Sequence, residues 1–336
     1  MARILLTHTP DMLENYYGPR ALAALREVGE VHLNSKGSVL DSDALIAAAA
    51  GCEIVISDRQ TPGEGRIFDH MPDLVAFLRC AVDIRNIDVP AASRHGILVT
   101  QATPGFIPSV AELAVGFMVD LARRVPDAVQ EYRAGGDASV HMGRQLKGSV
   151  LGILGYGVIG QYLARVGVAL GMTVLVSDPY RQADEAGVRQ ASMEALLAEA
   201  DFVVCLVVAN ERTENLMNAA AFERMKPSAY FINLSRGNLV DEAALERALD
   251  ERRIAGAAMD VGRAPDQKPS LRLANRKNVI ATPHIGGLTP QAVEHQAFDT
   301  VKQARELLSG RVPPGAVNTA EASRLERFGI AWKKGA

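Results

Sequence analysis

Short apolar runs alternate along the chain with segments of helical period, a pattern that predicts strands and helices in turn and a largely parallel sheet. From residue 1 to about 100 the strand-like runs are Arg3 to Thr7, Val31 to Leu33, Glu53 to Ser57, Leu74 to Arg79 and Ile97 to Thr100. Helical segments read at Pro19 to Val28 and Asp43 to Ala50, and turn chemistry at Thr61-Pro62-Gly63, Met71-Pro72-Asp73 and His95-Gly96 supports the breaks. Ser109 to Arg124 places Val110, Leu113, Ala114, Phe117, Met118 and Leu121 at helical spacing and stops before Pro126, which predicts a long amphipathic helix suited to bridging two domains. After a polar, glycine-containing stretch from Arg133 to Gly148, a second series runs from Val150 to about Pro283. Its continuous apolar runs, Ala200 to Val208 and Ser228 to Leu234, are those of strands buried on both faces. A helix from Pro290 to Leu308 follows, then a Pro-Pro-Gly turn and a polar, basic tail expected to be partly loose.

Length turns this pattern into two cores, because 336 residues exceed the ~150 of one ordinary domain. With 48% hydrophobic and 22% charged residues the chain is globular rather than disordered. Its 36 basic and 39 acidic residues leave a net charge of −3, so no chain-wide positive field draws nucleic acid or anionic lipid. Cys52, Cys80 and Cys205 lie apart in apolar runs without C-x-x-C spacing and read as reduced core residues, and no metal site is expected. Met1 to Thr7 fits a buried first strand better than a signal peptide, and no apolar stretch reaches the ~18 residues of a membrane span. A cytoplasmic protein is expected.

Chemistry begins at Gly155-Tyr156-Gly157-Val158-Ile159-Gly160, which directly follows an apolar strand and precedes the helical stretch Gln161 to Leu170. In that context Gly155 permits a tight turn, Gly157 lets backbone approach a pyrophosphate, and Gly160 lets helix and strand pack closely. Val158 and Ile159 open the helix whose amino terminus faces the negative charge. The next strand, Thr173 to Ser177, ends in Asp178, 23 positions after Gly155, where a carboxylate accepts from adenosine ribose hydroxyls and repels a 2′-phosphate. NAD(H) is the expected cofactor, with Arg181 close enough to soften the preference over NADP.

A hydride carrier needs a substrate clamp and a proton donor at the carboxyl ends of the strands. Arg236, in Asn233-Leu234-Ser235-Arg236-Gly237, follows an apolar strand and can grip a carboxylate in two places. His284, in Thr282-Pro283-His284-Ile285-Gly286-Gly287, alone among seven histidines occupies a strand-end turn flanked by proline and paired glycines, as a general acid/base requires. Asp260 ends the strand Ala257-Ala258-Met259 within reach of a nicotinamide carboxamide, and Asp266 lies far enough along the following loop to turn back toward His284. Ser235 and Val208, at the ends of their runs, count with the cofactor contacts.

This ordered set resembles the D-isomer-specific 2-hydroxyacid dehydrogenases, which include phosphoglycerate, hydroxypyruvate/glyoxylate and formate dehydrogenases, over nearly the whole chain. The stretch Leu78 to Asp88 looks like the family's substrate loop, and Ala111-Glu112-Leu113 sits in its interdomain helix. The resemblance implies that Arg236 binds the substrate carboxylate, His284 is the acid/base, and backbone around Ala81 and Val82 helps hold the carboxylate. It also implies a homodimer, with Val125 to Lys147 as the dimerisation arm. Two departures stand out. The family's glutamate beyond Asp260 is absent from Val-Gly-Arg-Ala-Pro-Asp-Gln, leaving Asp266 about one position further as its replacement, and Ala81-Val82 replaces a glycine-rich pair. A carboxylate against His284 would favour the imidazolium and help protonate a keto acid.

The expected architecture is two Rossmann-like or flavodoxin-like parallel-sheet α/β domains separated by a cleft. Residues 1–103 with 289–336 form a discontinuous substrate domain, and residues 104–288 the NAD-binding domain. Arg59 and Arg85 are positions for a second anion, pointing to a dicarboxylate or phosphorylated acid. The expected function is reduction of a small 2-keto acid to the D-2-hydroxy acid, with no nucleic-acid or membrane partner. The alternatives are an NAD(H)-responsive binding or corepressor-like protein, kept open by the altered loop Gly262 to Asp266, and oxidation of another small substrate such as phosphite or formate.

Overall fold

The computed structural model describes residues 1–264 and 266–332. The chain divides into two compact units, Met1–Gly105 with the segment from Thr289 onward, and Phe106–Leu288. Both are built on all-parallel sheets, β1 to β5 in the first unit and β6 to β12 in the second.

In the first unit the strands β1 Arg3–Leu6, β2 Glu30–Leu33, β3 Ile54–Ser57, β4 Ala76–Arg79 and β5 Leu98–Thr100 lie in the order β2-β1-β3-β4-β5. Alternate residues face opposite sides, so Ile4, Leu6, Ile54 and Ile56 pack with Ala297, Val301 and Ala304 of the helix Pro290–Leu308. Leu5, Val55, Phe77 and Val99 point the other way, onto Leu45 and Phe68. Burial of both faces explains why β1, β3, β4 and β5 read as apolar runs, whereas the edge strand β2 is exposed or half-buried along its length. The sequence signal missed the helix Pro10–Tyr16, which has no fully buried residue and is announced only by Thr9, whose hydroxyl accepts from the Met12 N–H at 3.2 Å.

The tail expected to be partly loose is packed as far as Trp332. Ala322, Leu325 and Ile330 enter the first unit's core, and Arg324 donates to the carbonyls of Met71 at 2.8 Å and Leu74 at 2.7 Å. Polar residues between these anchors hid them in the sequence. Residues 333–336 lie outside the described residues.

In the second unit β6 Val150–Leu154, β7 Thr173–Ser177, β8 Val188–Gln190, β9 Phe202–Cys205, β10 Tyr230–Asn233, β11 Gly256–Met259 and β12 Val279–Ala281 take the order β12-β11-β10-β9-β6-β7-β8. The order reverses at β6, where β6 lies between β9 and β7, and open parallel sheets bind ligands at such a switch point. Leu154 pairs with Ser177 and Cys205, so Gly155, Asp178 and Leu206 leave the sheet side by side. Asn233 pairs with Met259 and Met259 with Ala281, which sets Asp260 beside Thr282 at the same carboxyl edge. The run predicted as a strand through Val208 stops at Cys205 because the paired residues of β6 and β10 end there. The helix Ile107–Arg123, expected as a bridge, buries Val110, Ala114, Phe117 and Met118 in the second unit's own core with Leu151 and Ile153.

Candidate active site

The glycine turn after β6 contains two structural glycines and one open one. Gly155 has φ +93, and a Cβ on it would stand 2.8 Å from the Leu206 carbonyl. A Cβ on Gly160 would stand 2.2 Å from the Gly155 oxygen, so this glycine lets the helix Val158–Ala169 lie against the turn. Gly157 differs, since nothing lies within 4 Å of where its Cβ would be. It is the N-cap of the helix and makes no side-chain hydrogen bond to the first turn, and Val158 beside it is exposed. A pyrophosphate fits this combination.

Asp178 frames the turn. Its Oδ2 accepts from the Tyr156 N–H at 2.7 Å, and its Oδ1 accepts from the N–H groups of Tyr180 at 2.8 Å and Arg181 at 3.1 Å. The carboxylate is therefore fixed beside the glycines, with an acceptor position to spare for ribose hydroxyls. Val208 is 77% exposed in the loop after β9, and the Ser235 hydroxyl donates to the neighbouring Val207 carbonyl at 2.6 Å.

Arg236 follows β10 on a turn shaped by Asn233. The buried Asn233 amide accepts from the Ser235 N–H at 3.1 Å and donates to the Arg236 carbonyl at 2.9 Å. Arg236 itself is half-buried, and its Nη1 donates to the Ser235 carbonyl at 2.7 Å. The short 3-10 turn Gly237–Leu239 then rests directly on the loop after β11, where a Cβ on Gly237 would fall 2.0 Å from the Gly262 carbonyl carbon.

His284 stands at φ 60, a left-handed conformation that costs a non-glycine residue about 1 kcal/mol or more. Its N–H donates to the Thr282 carbonyl at 3.0 Å. Asp260, only 2% exposed, holds the turn: Oδ1 accepts from the Thr282 hydroxyl at 2.6 Å and the Ile285 N–H at 2.8 Å, while Oδ2 accepts from the Gly286 N–H at 2.8 Å. Three of the roughly four acceptor positions of this carboxylate thus serve the histidine turn, beside any contact with a carboxamide.

Asp266 is exposed and engaged by Lys268, whose backbone N–H donates at 3.2 Å and whose Nζ pairs at 3.1 Å. These contacts hold the Asp266 carboxyl below the usual carboxylate range.

In the first unit Ala81 is buried and Val82 half-buried after β4, and the Ala81 carbonyl accepts from the Ala102 N–H at 3.0 Å. Arg59 is exposed. Arg85, the other position expected to hold a second anion, is paired with Asp83, which takes its Nη2 at 2.6 Å and its Nε at 3.0 Å. That ion pair and its hydrogen bonds push the Asp83 carboxyl down to about 2. The sequence reading missed the fully buried Arg79 below these loops. Its guanidinium donates to the Asp58 carbonyl, to the Thr61 carbonyl at 3.1 Å and to Asn86 Oδ1 at 2.7 Å. A charged residue closing an otherwise apolar strand was the available signal.

Among the described residues no helix is long and apolar enough to cross a membrane, and no cluster of His, Cys, Asp and Glu is arranged to hold a metal. The model of the D-isomer specific 2-hydroxyacid dehydrogenase NAD-binding domain matches residues 115–286. D-3-phosphoglycerate dehydrogenase of Synechocystis sp. is 33% identical over 322 residues, covering 95% of this chain and 56% of its own length. D-3-phosphoglycerate dehydrogenase 2, chloroplastic, of Arabidopsis thaliana is 33% identical, covering 90% of this chain and 49% of its own. The chain therefore spans about half the length of these two relatives. Among solved structures, the TT0316 protein from Thermus thermophilus superposes with TM-score 0.81 at 30% identity, covering 94% of this chain and 99% of that one. The fold of D-2-hydroxyisocaproate dehydrogenase matches with TM-score 0.86 at 24% identity, covering 95% and 100%. With the glycine turn, Arg236 and His284 at one sheet edge and this family model over half its length, the chain belongs to the D-isomer specific 2-hydroxyacid dehydrogenase family.

Proposed function

We propose that the protein is an NAD(H)-dependent D-2-hydroxyacid dehydrogenase that reduces a small 2-keto acid. The observation that carries this reading is His284, held at positive φ by a buried carboxylate on the same sheet edge as the open glycine turn. Strained backbone maintained by dedicated hydrogen bonds is a mark of a residue whose direction matters.

Gly155, Gly157, Val158, Ile159 and Gly160 would hold the cofactor pyrophosphate and Asp178 the adenosine ribose, while Ser235, Val208 and the remaining acceptor of Asp260 would border the nicotinamide. The bound cofactor supplies hydride to the keto carbon. Arg236 binds the substrate carboxylate through paired N–H donors and fixes the carbonyl direction. His284 gives its proton to the carbonyl oxygen as the alkoxide develops and takes one back in the reverse direction. Asp266 is the candidate partner for the imidazole, in competition with Lys268. Arg59, Ala81 and Val82 are the substrate-binding candidates of the first unit, and the exposed Arg59 guanidinium suits an acid carrying a second anion.

The same reading includes a homodimer. Val125, Val129, Tyr132, Val140 and Met142 are exposed on and after the helix Val125–Arg133, an apolar face suited to a second copy. A cytoplasmic setting agrees with three free, buried cysteines. The binding-protein alternative is not favoured by any feature of the site, since ligand sensing does not call for a strained histidine.

The test is NADH oxidation against glyoxylate, hydroxypyruvate, pyruvate, phenylpyruvate, oxaloacetate and 2-oxoglutarate. Turnover of at least one supports the reading, and NADH binding without turnover on any of them counts against it.

A further inference from the structure

Arg263 lies in the loop after β11, where the family resemblance offers no role for it, yet it gathers three loops. Its Nε donates to the Val240 carbonyl at 3.0 Å, and its Nη1 pairs with Glu214 Oε1 at 2.8 Å. Its Nη2 donates to the carbonyls of Val240 at 2.9 Å and Asn238 at 3.1 Å and to Asn215 Oδ1. The partners are tied to each other as well. Asn238 donates to Glu214 Oε2 at 2.9 Å, and the N–H of Asn215, a residue at φ 53, donates to the Asn238 carbonyl at 2.9 Å. Beneath the guanidinium, Gly237 touches Gly262 so closely that a Cβ on it would stand 2.5 Å from the Arg263 nitrogen.

These bonds converge on residues 238 to 240, immediately beyond Arg236. On the strand side the turn is fixed by Asn233, which holds Ser235 and the Arg236 carbonyl. On the far side the carbonyls of Asn238 and Val240 are held by one planar fork. Arg236 therefore sits between two anchors, and removing the guanidinium strips the second of its side-chain bonds to the Asn238 and Val240 carbonyls, leaving the backbone bridge through Met217 and the Asn215 N–H to hold the far side of the turn. Only a guanidinium offers several donors in one plane, whereas a lysine ammonium supplies a point charge that cannot serve both carbonyls and Glu214 in this geometry.

We propose that Arg263 is a positioning residue for substrate binding, locking the turn Gly237–Leu239 so that Arg236 is aimed at the substrate carboxylate. This rests on the reading of Arg236 as the carboxylate clamp.

The experiment uses the full chain, with hydroxypyruvate and the other 2-keto acids named above as probes. It compares wild type, Arg236→Gln, Arg263→Gln, Arg263→Lys and Glu214→Gln for KM, kcat, NADH affinity and melting temperature. Both Arg263 variants are expected to raise KM about tenfold while kcat changes less than about threefold and NADH affinity less than about twofold. Lysine is expected not to rescue. Glu214→Gln, which leaves Arg263 in place and keeps the assay readable should the Arg263 variants fail to fold, is expected to raise KM about threefold. Unchanged KM in a folded Arg263 variant or in Glu214→Gln overturns the proposal. So does a parallel fall of kcat, NADH affinity and melting temperature, which marks general loosening. Full turnover with unchanged KM in Arg236→Gln instead refutes the clamp reading, and wild type inactive on every probe refutes both.

Discussion

Asp260 brackets His284: its buried carboxylate accepts from Thr282 two residues before the histidine and from Ile285 and Gly286 just after it. The register that sets Met259 opposite Ala281 delivers the carboxylate to that place, and the bonds stabilise a backbone conformation the histidine would otherwise leave. Asp260→Asn keeps one oxygen but turns an amide donor toward an N–H or hydroxyl donor. The expected cost is about 1–3 kcal/mol of stability, seen as a lower melting temperature, together with at least about tenfold lower kcat. Wild-type turnover in this variant would show that the bracket does not direct the histidine.

The glycine turn separates a structural from a binding role by one methyl group. Gly157→Ala meets no atom within 4 Å and should fold with nearly the wild-type melting temperature, while NADH affinity falls about tenfold or more. Gly155→Ala combines φ +93 with a contact 2.8 Å from the Leu206 carbonyl and should lose stability outright. Calorimetry and NADH fluorescence titration of the two variants distinguish these outcomes.

On the function proposed above, cofactor choice would rest on Asp178. With the carboxylate fixed by three N–H groups, a 2′-phosphate meets a negative charge that cannot turn away. Asp178→Ser is expected to shift the ratio of kcat/KM for NADPH over NADH upward by about tenfold or more, with Arg181 nearby as the new anion partner. An unchanged ratio would remove Asp178 from the ribose site.

Acid should weaken the first unit through His8. The ring is 3% exposed, lies edge-on to Tyr17 at 5.1 Å, and burial pushes its pKa from 6.5 down to about 4 against the opposing pull of Asp58. Between these values the unfolded chain binds more protons than the folded one, so stability is full above pH 6.5 and is lost as pH falls toward 4. The amount is ~3 kcal/mol. Urea unfolding across that window should show the loss in wild type and a flatter profile in His8→Phe, which keeps the ring contact.

The strands were legible because burial on both faces writes them as apolar runs, as in Ile54–Ser57 and Phe202–Cys205. The same signal overshot at Leu206 to Val208, where apolar residues continue after the partner strands have ended. Glycine spacing, Arg236 and His284 could be read because each is local, a strand end followed by a turn. The role of Asp260 could not, since it depends on the register of β11 against β12. Arg263 was equally hidden, because its partners Glu214, Asn215, Asn238 and Val240 come from two other loops.

The most direct measurement is NADH affinity and 2-keto acid turnover side by side in wild type and His284→Gln. The expected result is turnover reduced about 10²–10⁴-fold with NADH affinity within about twofold of wild type. Turnover that survives the substitution, or NADH affinity lost along with it, would contradict His284 as the acid/base.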